Sequence, residues 1–517
     1  MQTRQASRSN SLVVYSTLTI FTLVGLLLRL YGAAASLWLD ELHTAWVVCD
    51  GLFLIPERAA LGNNHASYFY LPWMSTTLFG MHEWSLRLPS ILAGTALVPL
   101  VHWVVMAWTR SHTAALLAAG LVVIDPWSVV FSQESRVYAL VQLVSLLQVY
   151  TLSKTICSAR RSHRLLLVLL SLVLFYLHFT TALLLLAECV FWLSLRLRDS
   201  AKQAYGGGPF AVDAFLFVVG ACPGLSLLTD VWSRRTQWEL FVAVPTITDA
   251  VSLFPIEVYV LLPLFLAGVV AVCSKSTERV ESGRPAGGNL WLLVGIWFVV
   301  PVTLAVILSW CDVARLFHAR YLIAVAVAPA VMAGLLCANY RRRARPYCAA
   351  LILVVAIVNL GPVGQWWRDG DVIHHRREDW RAALKWLREE ARPQAKTSLL
   401  FRSGLIEADD RARLADESFV DYCLFPLKGI YGIDDLNLKV VLLPTTNTET
   451  ALELQQSEVL QYGHALFLIR APDAVADRWI RNVLERYGPE WTLQQKHFAG
   501  VTVAKLERFE GRSQDFK

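Results

Sequence analysis

The sequence predicts a polytopic α-helical membrane protein of about eleven transmembrane helices, followed by a C-terminal extracytoplasmic α/β domain. Three observations carry that prediction. Of the 517 residues, 55% are hydrophobic and only 17% are charged, against about a quarter charged in soluble domains. The apolar residues gather into long runs before about residue 361, and charge returns after it. Basic residues fall in short clusters between the runs, with a bias to one side.

A bilayer core of roughly 30 Å needs about 20 apolar residues per helix. Runs of that order lie at 11–31, 88–108, 113–130, 137–153, 164–178, 179–195, 212–230, 251–273, 289–309, 318–338 and 347–362. The first follows a short basic tail, as a signal peptide would, but it lacks a small-x-small cleavage site and many more runs follow. It is read as a retained helix. Residues 164–195 form one continuous run, too long for a single crossing, with His178 near the middle. Two short helices meeting at the membrane surface near His178 account for both features.

Orientation follows from the loops. With a cytoplasmic N-terminus, the inner segments hold seventeen cations: Arg4, Arg8, Arg110, Lys154, Arg160, Arg161, Arg164, Arg196, Arg198, Lys202, Lys275, Arg279, Arg284, Arg341, Arg342, Arg343 and Arg345. The opposite loops hold seven: Arg58, Arg87, Arg136, Arg234, Arg235, Arg315 and Arg320. The positive-inside rule then leaves the C-terminal domain outside. The expectation is a multi-pass protein of the plasma (inner) membrane, with a multi-span domain at 1–362, a first outer loop at 32–87 and an outer domain at 363–517.

The net charge of +6 is small for this length and its clustering suits membrane topology, so no nucleic-acid partner is expected. The nine cysteines form no CxxC pair and no zinc spacing, which argues against a disulfide framework. In the tail, RREDWRAALKWLREE and AVADRWIRNVLERYG carry helical spacing, while SLLFR, KVVLLP, HALFLIR and GVTVAKL read as strands. About 155 residues there suffice for a core.

Chemistry concentrates on the outer side. Directly after the first run comes SLWLDELHTAW, with Asp40 and Glu41 adjacent between Trp38 and Trp46. Neighbouring helical residues point about 100° apart, so the two acids divide their tasks. One can face a cavity as a general base while the other caps a helix or pairs with an arginine. Both could equally be solvated loop acids. Further polar groups share that side: His65 and Tyr70 in NNHASYFYLPW, Glu83 and Arg87 before the second run, Glu134, Arg136 and Tyr138 in SQESRVY, then His178, and Arg320 and Tyr321. Singly, each has a plain structural reading: arginines and tyrosines at helix ends snorkel and anchor. Collected on one face of a membrane, they imply a shared cavity, because charge at membrane depth is expensive. Arginine forks match phosphate oxygens, aromatics stack on sugars, and a carboxylate can deprotonate a hydroxyl. A lipid carrying a phosphate and a sugar fits that set.

These segments resemble the membrane-embedded GT-C glycosyltransferases, in particular the family-39-like branch with the protein O-mannosyltransferases and the lipid A aminoarabinose transferase. The matching pieces come in the family's order. They are the acidic pair of LWLDE, HASYFYLPW for an H/K-P-P-x-Y-Y segment, Gly80 with Arg87, Pro89 and Ser90, SQESRVY, the Arg320-Tyr321 entry to a late run, and a D-W-R-x-A helix beginning at Asp379. The likeness runs along most of the chain, with one departure: Ala66 and Ser67 stand where the family has two prolines. The resemblance implies a polyprenyl-phosphate-linked sugar donor and inverting transfer at the outer face to a lipid, glycan or protein acceptor, among membrane lipids. It implies Asp40 as general base, Glu41 positioning an acceptor or a basic partner, and Arg136, Arg320 and His65 binding or balancing the donor phosphate. No metal or other cofactor is expected. A lipid-sugar transporter could use the same groove without chemistry, but no internal repeat or matching broken helices support it. A scaffold presenting the outer domain to a partner is the third reading.

Overall fold

The structure is a computed structural model and describes residues 2–199, 204–233, 235, 242–273, 288–361, 364, 378–390, 398–433, 436, 438–445, 449, 451, 453–454, 464–487 and 491–508. Lys202, Arg234, Lys275, Arg279 and Arg284 of the orientation argument lie outside the described residues, as do Arg376, Arg377 and Gly488 of the predicted tail helices.

In chain order the helices are α1 (Gln2–Leu30), α2 (Leu39–Cys49), α3 (Ile55–Leu61), α4 (Tyr70–Phe79), α5 (Glu83–Thr109), α6 (His112–Ile124), α7 (Pro126–Val130), α8 (Tyr138–Ser158), α9 (Arg161–Leu177) and α10 (Ala182–Asp199). There follow α11 (Gly207–Ala221), α12 (Leu225–Ser233), α13 (Ile247–Ser252), α14 (Leu262–Cys273), α15 (Gly288–Trp310), α16 (Ala328–Ala338) and α17 (Arg345–Asn359). The tail adds α18 (Trp380–Glu390), α19 (Glu417–Cys423) and α20 (Asp473–Tyr487), with strands β1 (Ser398–Arg402), β2 (Lys439–Leu442), β3 (His464–Arg470), β4 (Trp491–Phe498) and β5 (Val501–Arg508).

Each of the eleven apolar runs carries helix. Among the described residues, six helical stretches are long and apolar enough to cross a membrane: Leu12–Leu30, Glu83–Thr109, Tyr138–Ser158, Phe179–Arg198, Gly207–Ser233 and Asn289–Trp310. Shorter apolar helices lie at His112–Ile124, Glu257–Cys273, Ile323–Ala338 and Arg345–Asn359. This is an integral membrane protein. The long run breaks at His178, whose Nδ1 accepts from the Thr180 N–H (3.4 Å) and caps the turn leading into α10. The run expected from 318 begins as turns, and Pro329, with no N–H to give, sits in the first turn of α16.

The chain divides into two compact units. The first comprises Met1–Ala33, Asn63–Tyr68 and Arg87–His374; the second comprises Ala34–Gly62, Phe69–Leu86 and His375–Lys517. In the first unit, α1 turns Leu12 and Leu27 outward while Arg29 is fully buried, so apolar side chains face out as lipid requires. Arg29 Nη1 donates to the Gly25 carbonyl (3.0 Å), Nη2 to that of Val122 (3.4 Å) and Nε to Ser132 Oγ (3.2 Å). Asp125 is within electrostatic reach. At the far end of α9, Arg164 grips the Asp213 carboxylate of α11 with Nε (2.9 Å) and Nη2 (2.7 Å), and the Tyr205 hydroxyl joins it at 2.8 Å.

The second unit centres on a mixed sheet of order β2-β1-β3-β5-β4. β1 runs parallel to β2 and β3, and β5 pairs antiparallel with β3 and β4. Leu400, Phe467, Ile469, Ala504 and Leu506 form its core with Trp479 and Ile480 of α20. Trp380, Leu384 and Leu387, spaced for one face of α18, are buried. β4 was not anticipated in the sequence. It is an edge strand whose residues are mostly exposed, so WTLQQKHF carries little apolar alternation to read.

The passage of Arg29 through the first unit yields a test. A Cβ on Gly94 would stand 1.9 Å from Ser132 Oγ and 2.8 Å from Arg29 Nε. Gly94→Ala should therefore cost about 1–3 kcal/mol by overpacking, read as a lower midpoint of thermal unfolding in nanodiscs. Gly295→Ala, with open space around its Cβ, is the control and should leave the midpoint unchanged.

Candidate functional site

In the first unit, four segments far apart in sequence are tied by buried polar side chains. Gln133 Nε2 donates to the carbonyl of Leu28 (2.7 Å), which the end of α1 leaves without a helical donor, and to that of Tyr31 (3.0 Å) just beyond the helix. Arg87 Nη1 donates to the carbonyls of Ala33 (3.0 Å) and Gly32 (3.3 Å). Ser90 Oγ donates to the Arg136 carbonyl (2.9 Å), and its oxygen accepts from the Tyr68 hydroxyl (2.8 Å). Arg136 Nη2 then reaches Asn64 Oδ1 at 3.4 Å. The end of α1, the 63–68 loop, the first turns of α5 and the SQESR turn are thereby set against one another.

From that knot a run of rings leads on. Tyr138 packs on Phe131 at 4.8 Å and on His178 at 5.8 Å; His178 meets Tyr321 at 6.1 Å, and Tyr321 meets His318 at 5.8 Å. Arg320 lies over the Tyr321 ring (4.9 Å) and donates to its hydroxyl (3.2 Å). Arg136 and Arg320 are both within electrostatic reach of His178. Because His178 Nδ1 accepts from Thr180, the neutral ring carries its proton on Nε2 as a donor. His65 is framed by Phe179 (4.5 Å), Tyr176 (5.0 Å) and Phe175 (5.8 Å). Burial holds its pKa below the usual histidine range, so it is neutral at pH 7.

The acidic pair belongs to the second unit. Glu41 is 1% exposed and its carboxylate accepts from the Trp38 N–H (3.4 Å) at the start of α2; Asp40 is only half-buried. The segment ahead of α2 is held by the tail. Glu378 Oε2 accepts from the Leu39 N–H (2.9 Å) and from Trp380 Nε1 (2.8 Å), while Oε1 takes Arg470 Nε (2.8 Å). Arg381 Nη2 donates to the Ala34 carbonyl (2.7 Å) and pairs with Glu83. Tyr431 donates to Glu83 Oε1 (2.7 Å) and accepts from the Leu37 N–H (3.1 Å). Burial pushes the Tyr431 hydroxyl up to about 12, with Glu83 adding to the rise, so it stays protonated throughout the physiological range.

Of the residues singled out in the sequence, Arg136, Tyr138, His178, Arg320 and Tyr321 meet in the first unit. Glu134 is buried in the turn beside them, and Arg87 binds backbone carbonyls. Tyr70, 38% exposed, begins α4 in the second unit. Sequence reasoning missed Arg29, Tyr68, Glu378 and Tyr431. An arginine within a membrane run was a readable sign for the first; the others are chosen by long-range partners. Among the described residues, no group of three or more His, Cys, Asp or Glu is placed to hold a metal ion.

Residues 54–140 match the family described as dolichyl-phosphate-mannose-protein mannosyltransferase. That span takes in His65, Tyr70, Arg87, Glu134, Arg136 and Tyr138 and begins after the acidic pair. No curated protein matches the sequence at a significant level. Among solved structures, ArnT from Cupriavidus metallidurans bound to undecaprenyl phosphate is similar at a TM-score of 0.53 and 12% identity, over 94% of this chain and 97% of that one. The arabinofuranosyltransferase AftD from mycobacteria is similar at a TM-score of 0.50 and 13% identity, over 94% of this chain but only 39% of that one. The fold is that of the GT-C membrane glycosyltransferases.

Within the second unit, the hold on α2 is open to test. Tyr431→Phe deprives Glu83 of a donor and the Leu37 N–H of its acceptor, at a cost of about 1–3 kcal/mol. Hydrogen exchange of the amides from Leu37 to Leu42 should speed up while β3 and β5 keep their protection. Unchanged exchange there would mean that Tyr431 does not hold the segment.

Proposed function

We propose that this chain is a glycosyltransferase that moves a sugar from a polyprenyl-phosphate-linked donor to an acceptor hydroxyl at the outer membrane face, with inversion. The observation that carries the reading is the meeting of Arg136, Arg320 and His178 beside a run of aromatic rings in a membrane-embedded unit. Two guanidiniums and an Nε2–H are donors suited to a phosphate monoester, and the rings suit sugar faces and prenyl units. The similar ArnT is described with undecaprenyl phosphate bound, which supports a ligand of that class here.

The roles follow from the chemistry. The leaving group is a lipid phosphate on which negative charge grows as the glycosidic bond breaks. Arg136, Arg320 and the His178 Nε2–H stabilise that charge more in the transition state than in the ground state, and they stand oriented beforehand. Asp40, the less buried of the two acids, takes the proton of the attacking hydroxyl. Glu41, occupied with the Trp38 N–H, positions α2. Arg87 positions the chain after α1 through the Gly32 and Ala33 carbonyls.

Purified protein in nanodiscs, given a panel of polyprenyl-phosphate sugars with acceptors or water, should release polyprenyl phosphate from one of them. Asp40→Asn should slow that release by about 10²–10⁴, and Arg320→Met by about 10²–10³. Glu41→Gln keeps the Trp38 hydrogen bond and should lose far less. Near-full turnover by Asp40→Asn would remove the base assignment. Intact donor binding with no release from any donor would favour a lipid-sugar transporter.

A further inference from the structure

Within the second unit, α3 and α19 form the walls of a groove of about 560 Å³, floored by Trp46, Asp421 and Lys428. It is separate from every residue given a role above. Ligand clefts for small molecules run from roughly 300 to 1,000 Å³, so the groove could seat a short oligomer of sugar size.

Its floor is built in advance. Trp46 Nε1 donates to Asp421 Oδ2 (2.9 Å), and Lys428 pairs with the other oxygen of that carboxylate. Arg58 lies over the Trp46 ring (4.5 Å), donates to the Trp46 carbonyl (2.6 Å) and pairs with Asp50. Both cations are thus neutralised where they stand. The two rim carboxylates, Glu57 on α3 and Glu417 on α19, make no ion pair among the described residues. Between the polar groups the walls are apolar, with Leu61 facing in from α3 and Val420 from α19.

The charge arrangement decides the ligand class. A polyanion would meet two open carboxylates and no unpaired cation. A greasy segment would strand five charged groups, at a steep desolvation cost. A pyranose chain offers hydroxyls to the carboxylates, Arg58 and Lys428, and its C–H faces to the apolar strips.

We propose that this groove is an acceptor subsite that binds a hydroxyl-rich oligosaccharide. The proposal deepens the transferase reading and rests on it for the word acceptor; the binding itself does not.

The test uses the full chain in nanodiscs with maltotriose, cellotriose and mannotriose as probes, and trilysine and inorganic phosphate as comparisons. Binding is followed by saturation-transfer NMR for wild type, for Ser418→Trp, which fills the groove from α19, and for the Glu57→Gln/Glu417→Gln pair. One trisaccharide should bind, and both variants should weaken it about tenfold or more, Ser418→Trp by filling the groove and the Gln pair by turning two charge-assisted hydrogen bonds into neutral ones. With a turned-over donor, KM for a glycan acceptor should rise in step while release of polyprenyl phosphate into water stays at the wild-type rate. Equal binding by Ser418→Trp, preference for trilysine or phosphate, or no trisaccharide binding beside active transfer would each overturn the groove proposal. Trisaccharide binding lost in the variants, with no donor turned over by wild type, would instead overturn the transferase reading and leave the subsite standing as a glycan-binding site.

Discussion

Residues Ser36 to Trp38 have no regular structure, yet the acid pair follows at once and its helix starts at Leu39. What fixes that start is a pair of carboxylates from elsewhere in the second unit. Glu378, 339 residues along the chain, takes the Leu39 N–H, and Glu83 gathers Tyr431 and Arg381, which in turn hold Leu37 and Ala34. Charge-assisted hydrogen bonds of this kind are roughly twice as strong as neutral ones. The sheet-bearing tail therefore has a physical task that its lack of catalytic motifs does not suggest: it orients α2. In the role we propose for Asp40, a misplacement of about 1 Å would cost about 10²-fold in rate, so rigidity supplied from the tail bears on it.

The first unit solves a parallel problem with a cation. A fully buried arginine in a membrane span is costly unless its donors are met. Arg29 meets them with two backbone carbonyls and Ser132 Oγ, and Gly94 leaves the room for it. Gln133, the next residue, then closes the end of α1. The SQESR turn is thus anchored at its first two residues, and Arg136 emerges from it at a defined place. Arg29 acts at one remove, through Ser132, on the guanidinium we propose for the phosphate.

Legibility in the sequence tracked how local each cause was. Apolar runs announced the spans because lipid demands length and composition alone, and β1, β2, β3 and β5 announced themselves by apolar runs or alternation. β4 did not, being a polar edge strand. The ring and arginine residues were readable because charges and aromatics stand out between apolar runs. Glu378 and Tyr431 were not, because an acid or a tyrosine in a mixed-polarity tail carries no mark of the backbone amide it will meet hundreds of residues away. The same holds for Tyr68, one tyrosine in an aromatic stretch, which is distinguished by Ser90 rather than by its neighbours.

The loop bearing His65 shows how a missing local constraint is replaced. With Ala66 and Ser67 in place of two prolines, backbone stiffness falls, since proline restricts both itself and the residue before it. The loop is nonetheless ordered as a short 3-10 turn over Ala66–Tyr68. Tyr68 donates to Ser90, Asn64 receives Arg136, and the His65 ring packs among Phe175, Tyr176 and Phe179. Gly224 lies beneath, where a Cβ would come within 3.0 Å of His65 Cε1. The contacts reach α5, the SQESR turn, α9 and the turn after it, so the loop's shape is a property of the packed unit rather than of its own sequence. Proline pre-orders a loop before the rest folds; tertiary contacts order it only afterwards. His65 consequently keeps its place only while α5, the SQESR turn and α9 keep theirs, and its position reports on the integrity of the same knot that sets Arg136.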